Sequence, residues 1–399
     1  MYDLLIKAGR IIDPANQTDT QADIAIAGGQ IAAISSDIPR EQAEQVVDAT
    51  GKLVTPGLID IHIHAAEHED TDNVHPDIVG IKMGVTTVVD TGSAGIIGFP
   101  GYRKLVEQSC KTRIYFIPVT SLVYEFVGDY IALKVGADIS PKNFSLKKTQ
   151  ALYEKHKDVI VGFKCIAPKI QESDVESIPL TQSKQITRAI GVPLTVHLGW
   201  VPYRPWLEIP LVMEQLDAGD IATHIFRRKG SILDANQKVF SEVFEAQERG
   251  VRFDIGHGNG NFNFDVAKRA IDQGIRPFTI STDIMDRNSI MGPVFSLAKT
   301  MTKFLYLGFS LYEVVEMVTY HAALAINKTD ELGCISVGRV ADLSILDYQH
   351  GDWKLSDGIN TVVWDGPKLI PQFTVAKGKI IPCEFPENSF RKEKMITLR

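Results

Sequence analysis

The chain has 399 residues, 44% of them hydrophobic, and a formal net charge of -7 at pH 7. This length fits one large barrel with a small companion domain and a sizeable buried core. Lysines and arginines are scattered rather than clustered, which argues against nucleic-acid binding, and no apolar run approaches the roughly 18 residues of a membrane span. We expect a cytoplasmic protein that acts on a small molecule without nucleic-acid or membrane partners, and a homo-oligomer remains open.

Both ends of the chain are predicted to form short β-strands. The segments "DLLIKAGRIID" near the start and "DLSILDYQ" near the end alternate apolar and polar positions, with Gly and Asp at the turns. No helical pattern of comparable strength lies within either end. We expect the two ends to pair in one sheet.

Between the ends, apolar runs alternate with amphipathic, helix-like stretches. The runs are "LIDIHIH" at 58, "TTVVDTG" at 86, "IYFIPVTSL" at 114, "VIVGFKCIA" at 159, "VPLTVHLG" at 192, "IATHIF" at 221, "VRFDIGHG" at 251 and "FTISTDI" at 278. Eight strands with intervening helices over roughly 250 residues predict an α/β fold, a (β/α)8 barrel of the TIM type.

Ionisable side chains fall at the C-terminal ends of these predicted strands, where such barrels place their chemistry. They are His62 and His64 on the first strand, Lys164 on the fourth, His197 on the fifth, His224 on the sixth, His257 on the seventh and Asp283 on the eighth. Residues i and i+2 of a strand share a face with Cα atoms about 6.7 Å apart. The imidazoles of His62 and His64 can therefore converge on one cation, and neutral imidazole is a common ligand of zinc.

The segments "PGLIDIHIH", "GFK" and "STD", with the two later histidines, resemble the amidohydrolase superfamily of metal-dependent hydrolases, and the resemblance covers nearly the whole chain. It implies two divalent metal ions, with zinc expected. The ligands that it implies are His62, His64 and Asp283 for one ion, His197 and His224 for the second, and Lys164, carboxylated by carbon dioxide, as a bridging carbamate. It also implies a barrel over residues 55–329 and a composite β-sandwich domain of residues 1–54 and 330–399.

Lys164 has two possible roles. A protonated lysine cannot donate a lone pair to a cation, but burial and nearby positive charge lower a lysine pKa, and the neutral amine can then capture carbon dioxide. Two divalent ions with a carbamate, Asp283 and a hydroxide would carry a formal charge of about +1, against about +3 with a cationic lysine. The alternative is an ordinary buried lysine paired with a carboxylate.

The resemblance implies a hydroxide bridging two metal ions that attacks a carbonyl carbon, with Asp283 as general base and then general acid. The segments "DTGSAG", "GFKCIA" and "DIGHGNGNFNF" resemble the deacetylase branch, so we expect an N-acyl or O-acyl substrate, such as an acetylated small carboxylate. Arg227, Arg228 and Arg287 are candidates for binding that carboxylate, with surface roles as the alternative. His257 is a candidate substrate contact, with a structural role as the alternative.

Three other functions remain open. A dihydroorotase would carry an arginine soon after the paired histidines, where Ala65 and Ala66 stand, and a hydantoin hydrolase would present a tyrosine for which Tyr124 is a weak match. An adenine deaminase would often carry a glutamate three residues after the fifth-strand histidine, where Trp200 stands. A non-catalytic scaffold is disfavoured because every ligand position is filled.

Overall fold

The computed structural model describes residues 1–65, 73–123 and 139–384; Ala66 and Tyr124 lie outside them. Its strands are Tyr2–Asp13 (β1), Thr18–Ala27 (β2), Gln30–Ser35 (β3), Ala43–Asp48 (β4), Leu53–Pro56 (β5), Leu58–Ile63 (β6), Val85–Gly95 (β7), Arg113–Val119 (β8), Phe163–Ile166 (β9), Leu194–His197 (β10), Ile221–Thr223 (β11), Arg252–Asp254 (β12), Leu343–Ser356 (β13), Thr361–Ala376 (β14) and Lys379–Pro382 (β15). Its α-helices are Pro76–Val79, Phe99–Ser109, Leu146–His156, Ile178–Ile190, Ile209–Gln215, Ser241–Arg249, Phe264–Asp272, Asp286–Ile290, Leu297–Tyr306, Leu311–Met317 and Tyr320–Ala325.

The strands β6 to β12 form one parallel sheet in chain order, and each overlaps one of the first seven predicted runs. The eighth run, residues 278–284, closes the ring through backbone hydrogen bonds rather than as a regular strand. On one side Phe278 N donates to Phe253 O at 2.7 Å, and on the other Asp283 N donates to His62 O, also at 2.7 Å. The predicted TIM-like barrel is confirmed, and residues 278–284 are held directly beside the first strand.

The helices pack their apolar faces against the outside of this sheet. The helix Ile178–Ile190 is typical: the Ser177 hydroxyl accepts from Leu180 N at its start, and Gly191 ends it in a left-handed conformation with φ 84°. Leu180 and Ile186 of this helix are buried, and each such side chain stabilises the fold by about 1.5–3 kcal/mol. Within the described ranges, no helix combines the length and the hydrophobicity that crossing a bilayer requires.

The two ends of the chain do share one sheet, with the strand order β15-β14-β13-β5-β1-β2-β3 and β4 beside β1. β5 joins the two halves because it pairs in parallel with β1 and antiparallel with β13. Ile6, Val54, Ile345 and Val375 belong to the core of this sheet. Its description as a separate β-sandwich domain with the boundaries given above stays a prediction.

The strands β13 and β14 are unusually long, with 14 and 16 residues, and pair antiparallel from Leu343 and Val375 to Ser356 and Thr361. A strand of 16 residues extends for about 50 Å. The turn at residues 357–360 consequently reaches the mouth of the barrel, far from the rest of the terminal sheet.

Candidate active site

The six predicted metal ligands meet at the C-terminal mouth of the barrel. A cavity of about 850 Å³ opens there, and five of the six line it: His64, Lys164, His197, His224 and Asp283. His62 lies directly behind, with its Nε2 atom 3.0 Å from Lys164 Nζ and 3.5 Å from Asp283 Oδ1. Parallel strands present their C-terminal ends on one side of the barrel, which is why residues so distant in sequence come together here.

His62, His64 and Asp283 form a compact group of potential metal ligands, with one donor atom from each lying within 4.8 Å of the others. Asp283 Oδ1 is 3.2 Å from His64 Nε2. Burial disfavours ionisation of Asp283, but the neighbouring imidazoles outweigh burial and lower the pKa of this carboxyl. Two imidazole nitrogens and an ionised carboxylate suit a divalent ion such as zinc.

The tautomer of His64 is set by a serine and an aspartate on β7. Ser93 Oγ donates to Asp90 Oδ2 at 2.6 Å, so the same oxygen can accept from His64 Nδ1 at 2.9 Å. This contact favours the tautomer with the proton on Nδ1, in which Nε2 is the atom that could bind a metal ion. Sequence reasoning missed this arrangement, since it used "DTGSAG" only as part of the resemblance to the deacetylase branch.

Similar contacts orient two further histidines. Thr223 Oγ1 donates to Asp254 Oδ2 at 2.7 Å and can accept from His62 Nδ1 at 3.1 Å, while His224 Nδ1 donates to Gly256 O at 2.7 Å. Burial lowers the pKa of both imidazoles. Metal-ligating histidines characteristically donate their second nitrogen to the protein in this way, so Nε2 of each ring is the candidate ligand atom.

His197 differs because its contacts leave the tautomer open. Its Nε2 atom lies 3.4 Å from Trp200 O, which could only accept a hydrogen bond from it, and 2.8 Å from Arg227 Nη1, which could only donate one to it. The same guanidinium group contacts Leu198 O, and Arg227 is only 3% exposed. The predicted carboxylate-binding Arg227 is therefore held against the end of β10, deep in the cavity.

Lys164 is buried without the carboxylate partner that an ordinary buried lysine would have. Its Nζ atom contacts Thr91 O at 2.8 Å and His62 Nε2 at 3.0 Å, and no carboxylate oxygen of the described residues lies within 4.0 Å. Burial lowers the pKa of Lys164. Gly92, with φ 94°, leaves the space for this side chain, since a Cβ atom there would lie 2.4 Å from Lys164 Cδ.

Two of the candidate ligands have strained backbones. His224 and Asp283 adopt left-handed conformations with φ values of 72° and 49°. The loop after β12 approaches so closely that a Cβ atom on Gly258 would lie 2.4 Å from Asp283 Oδ2, and Asn261 Nδ2 donates to that oxygen at 2.9 Å. Left-handed non-glycine residues that surrounding contacts hold in place are concentrated at functional sites.

His257 lies behind the cavity rather than on its surface. It is fully buried, its Nδ1 atom donates to Gly258 O at 2.9 Å, and its Nε2 atom accepts from Lys303 Nζ at 2.7 Å. The ring stacks on Phe262 with a centroid distance of 4.5 Å. This placement favours the structural alternative for His257, and nothing in the sequence around Lys303 distinguishes this buried partner.

The outer part of the cavity is cationic and aromatic. Arg228, Lys229 and Arg287 line it, and the exposed Trp200 and Tyr203 lie on the same rim. Lys229 Nζ stands 4.9 Å from the centre of the Trp200 ring. Among the described lining residues Asp283 supplies the one carboxylate, so the cavity favours an anionic ligand.

The profile described as "Amidohydrolase family" matches residues 53–381. A deacetylase of Enterococcus faecalis is 34% identical over 382 residues, 95% of this chain and 99% of the relative, and a deacetylase of Agrobacterium fabrum is 34% identical over 347 residues, 86% and 82%. A solved adenine deaminase has a TM-score of 0.84 at 31% identity over 96% of this chain and 100% of its own. A solved dihydroorotase has a TM-score of 0.82 at 28% identity over 97% and 100%.

Proposed function

The chain belongs to the amidohydrolase family and is a hydrolase, and from that premise we propose that it removes an acyl group, such as acetyl, from nitrogen or oxygen of a small carboxylate-bearing molecule. One observation carries the proposal. The candidate ligands converge at the barrel mouth, and Nδ1 of His62, His64 and His224 each contacts another group of the protein, which leaves Nε2 of each ring as the candidate ligand atom.

The residues present fit two divalent ions, with zinc the ion we propose. His62, His64 and Asp283 would hold one ion, and His197 and His224 would hold the second. Lys164 as a carbamate would bridge them, a role supported by its burial and by the absence, among the described residues, of a carboxylate oxygen within 4.0 Å of its Nζ atom. When bound, such ions lower the pKa of water and polarise a carbonyl oxygen.

Asp283 would move the proton. Its carboxylate is ionised because the neighbouring imidazoles lower its pKa, and Asn261 fixes Oδ2 by donating to it. The carboxylate can accept the proton of the attacking water and deliver it to the leaving nitrogen or oxygen. The left-handed backbone conformations of His224 and Asp283, fixed by the surrounding contacts, would keep both side chains in position during these transfers.

The anionic part of the substrate would bind in the outer cavity. Arg228 and Arg287 line it and are exposed, so an incoming carboxylate can reach both guanidinium groups. Acyl removal is supported by the relatives named deacetylase, which match nearly the whole chain.

A second candidate is hydrolysis of a C–N bond of a cyclic compound, either the ring amide, as the name dihydroorotase indicates, or the bond to an amino group on the ring, as the name adenine deaminase indicates. Their TM-scores of 0.84 and 0.82 support it. Trp200 stands where the adenine deaminase pattern would place a glutamate, and Ala65 stands where the dihydroorotase pattern would place an arginine. Both departures weaken this candidate.

The test is a hydrolysis screen of protein purified with zinc and bicarbonate, with bound metal measured by mass spectrometry. Substrates are N-acetyl and O-acetyl acids, their uncharged methyl esters, hydantoins, dihydroorotate and adenine. The proposal predicts turnover of acetylated acids, loss of turnover with the esters, and about two metal ions per chain. Turnover of adenine or a cyclic amide without turnover of any acetylated acid would reject it in favour of the second candidate.

A further inference from the structure

The turn between β13 and β14 belongs to the wall of the catalytic cavity although it comes from the terminal sheet. Ile359 lines that cavity together with Arg228, and both residues also line a neighbouring cavity of about 540 Å³. Ile359 is 61% exposed, so its position is not explained by packing in a hydrophobic core. An exposed isoleucine between two cavities offers apolar surface to whatever enters them.

The turn is fixed to the barrel by one buried carboxylate. Asp357 is 1% exposed, and its Oδ2 atom accepts from Phe264 N at 2.9 Å and from Asn263 Nδ2 at 3.2 Å, both of which belong to the barrel. Its Oδ1 atom accepts from Ile359 N at 2.8 Å and from Asn360 N at 2.6 Å within the turn. Asp357 therefore fixes the backbone of Ile359 relative to the helix Phe264–Asp272.

The same turn touches the loop that holds Asp283. Gly358, with φ 95°, lies so close to the barrel that a Cβ atom would stand 3.0 Å from Asn259 O. Two residues further along, Asn261 donates to Asp283 Oδ2 at 2.9 Å. The contacts run continuously from the turn to the predicted proton-transfer residue, so the turn has a defined distance from the reacting centre.

We propose that Ile359 is a specificity-determining residue that selects substrates with an apolar group beside the carboxylate of the leaving molecule. The inference rests on the proposed function, since it takes the cavity to be the substrate site. Arg228 would bind the carboxylate, and Ile359, which lines the same two cavities, would contact an alkyl or aryl group on the adjacent carbon. When a pocket buries such a group, substrates that differ by one methylene can differ by about tenfold or more in kcat/KM.

The experiment compares wild type with Ile359→Ala and uses Val363→Ala as the matched control, because Val363 is an equally exposed apolar residue of the same hairpin outside the cavity lining. The substrates are acetylated acids that differ only at the adjacent carbon, with hydrogen or with an isobutyl group in either configuration. Ile359→Ala should lower kcat/KM for one isobutyl substrate by about tenfold, mainly through KM, and change the unsubstituted one by less than about twofold. Val363→Ala should leave both unchanged.

A second measurement separates this inference from the proposed chemistry. The deacetylated products, 2-hydroxy-4-methylpentanoate and glycolate, are titrated calorimetrically into the same three proteins. A preference for the isobutyl acid that Ile359→Ala reduces would support the inference even if no acetylated substrate were cleaved. Equal product affinity ratios in wild type and Ile359→Ala, failure of both acids to bind, or a changed elution volume of Ile359→Ala in size-exclusion chromatography would overturn it.

Discussion

Replacing Lys164 with alanine tests the centre of the proposed site. The change deletes a buried amine that lies 3.0 Å from His62 Nε2 and 2.8 Å from Thr91 O, and it leaves the other candidate ligands in place. If the carbamate joins the two ions, each ion loses an anionic ligand, and the formal charge of the site rises from about +1 to about +2. We expect kcat/KM to fall by at least about 1,000-fold, which corresponds to about 4 kcal/mol of transition-state stabilisation.

The assay measures kcat/KM and bound metal for Lys164→Ala, with acetate or propionate added in increasing concentration. A short carboxylic acid can occupy the space of the missing side chain and supply the lost anion, so activity should return partially and saturably. Lys169→Ala is the matched control, since Lys169 is 1% exposed, pairs with Glu208 at 2.7 Å and does not line the cavity. Full activity of Lys164→Ala, with unchanged metal content, would refute the bridging role.

Three further outcomes can be checked independently. Removing metal with a chelator should abolish hydrolysis. It should also lower the free energy of unfolding, measured by urea denaturation, by about 2.7 kcal/mol relative to protein at a metal concentration of about 100 Kd. Unchanged activity would exclude a metal role. Ser93→Ala removes the hydroxyl that orients His64 and should weaken metal affinity by about 10- to 100-fold in competition with a chelating indicator, whereas equal affinity would show that Ser93 has no such effect. Burial lowers the pKa of Lys303, so between that lowered pKa and 10.5 the unfolded chain binds more protons than the folded protein does. The free energy of unfolding of the wild type should therefore rise with pH across this window. Lys303→Met lacks the amine and should lose this contribution. Parallel pH curves for the two proteins would contradict that assignment.

The barrel and the candidate ligands could be predicted because both depend on a simple regularity. A strand followed by a helix takes about 30 residues, and the spacing from Lys164 to Asp283 repeats that length four times. Side chains at the ends of successive parallel strands must then meet, whatever lies in the helices between them. The pairing of the two chain ends in one sheet followed in the same way from their shared alternation of apolar and polar residues.

The groups that orient the ligands could not be predicted in this way. His62 and Thr223 are 161 residues apart, and a threonine on a buried strand has many ordinary explanations. The contact exists because the ring of strands closes and brings β11 close to β6 inside the barrel. This proximity is a property of the three-dimensional barrel alone. The same holds for Ile359, whose position depends on the length and direction of a hairpin in a different sheet.

In the proposed function, chemistry and selectivity are carried by different parts of this molecule. The candidate metal ligands stand near or directly beyond the C-terminal ends of barrel strands, and buried hydroxyl groups contact the rings of His62 and His64. The outer cavity is built instead from the loop that carries Trp200 and Tyr203, the segment after His224 that carries Arg228, and the β13–β14 turn with Ile359. A (β/α)8 barrel supports different reactions by varying such loops around a constant ring of strands. Family membership therefore follows from the strand ends, whereas we expect the choice among acetylated acids, cyclic amides and purines to depend on the cations and apolar side chains of the rim.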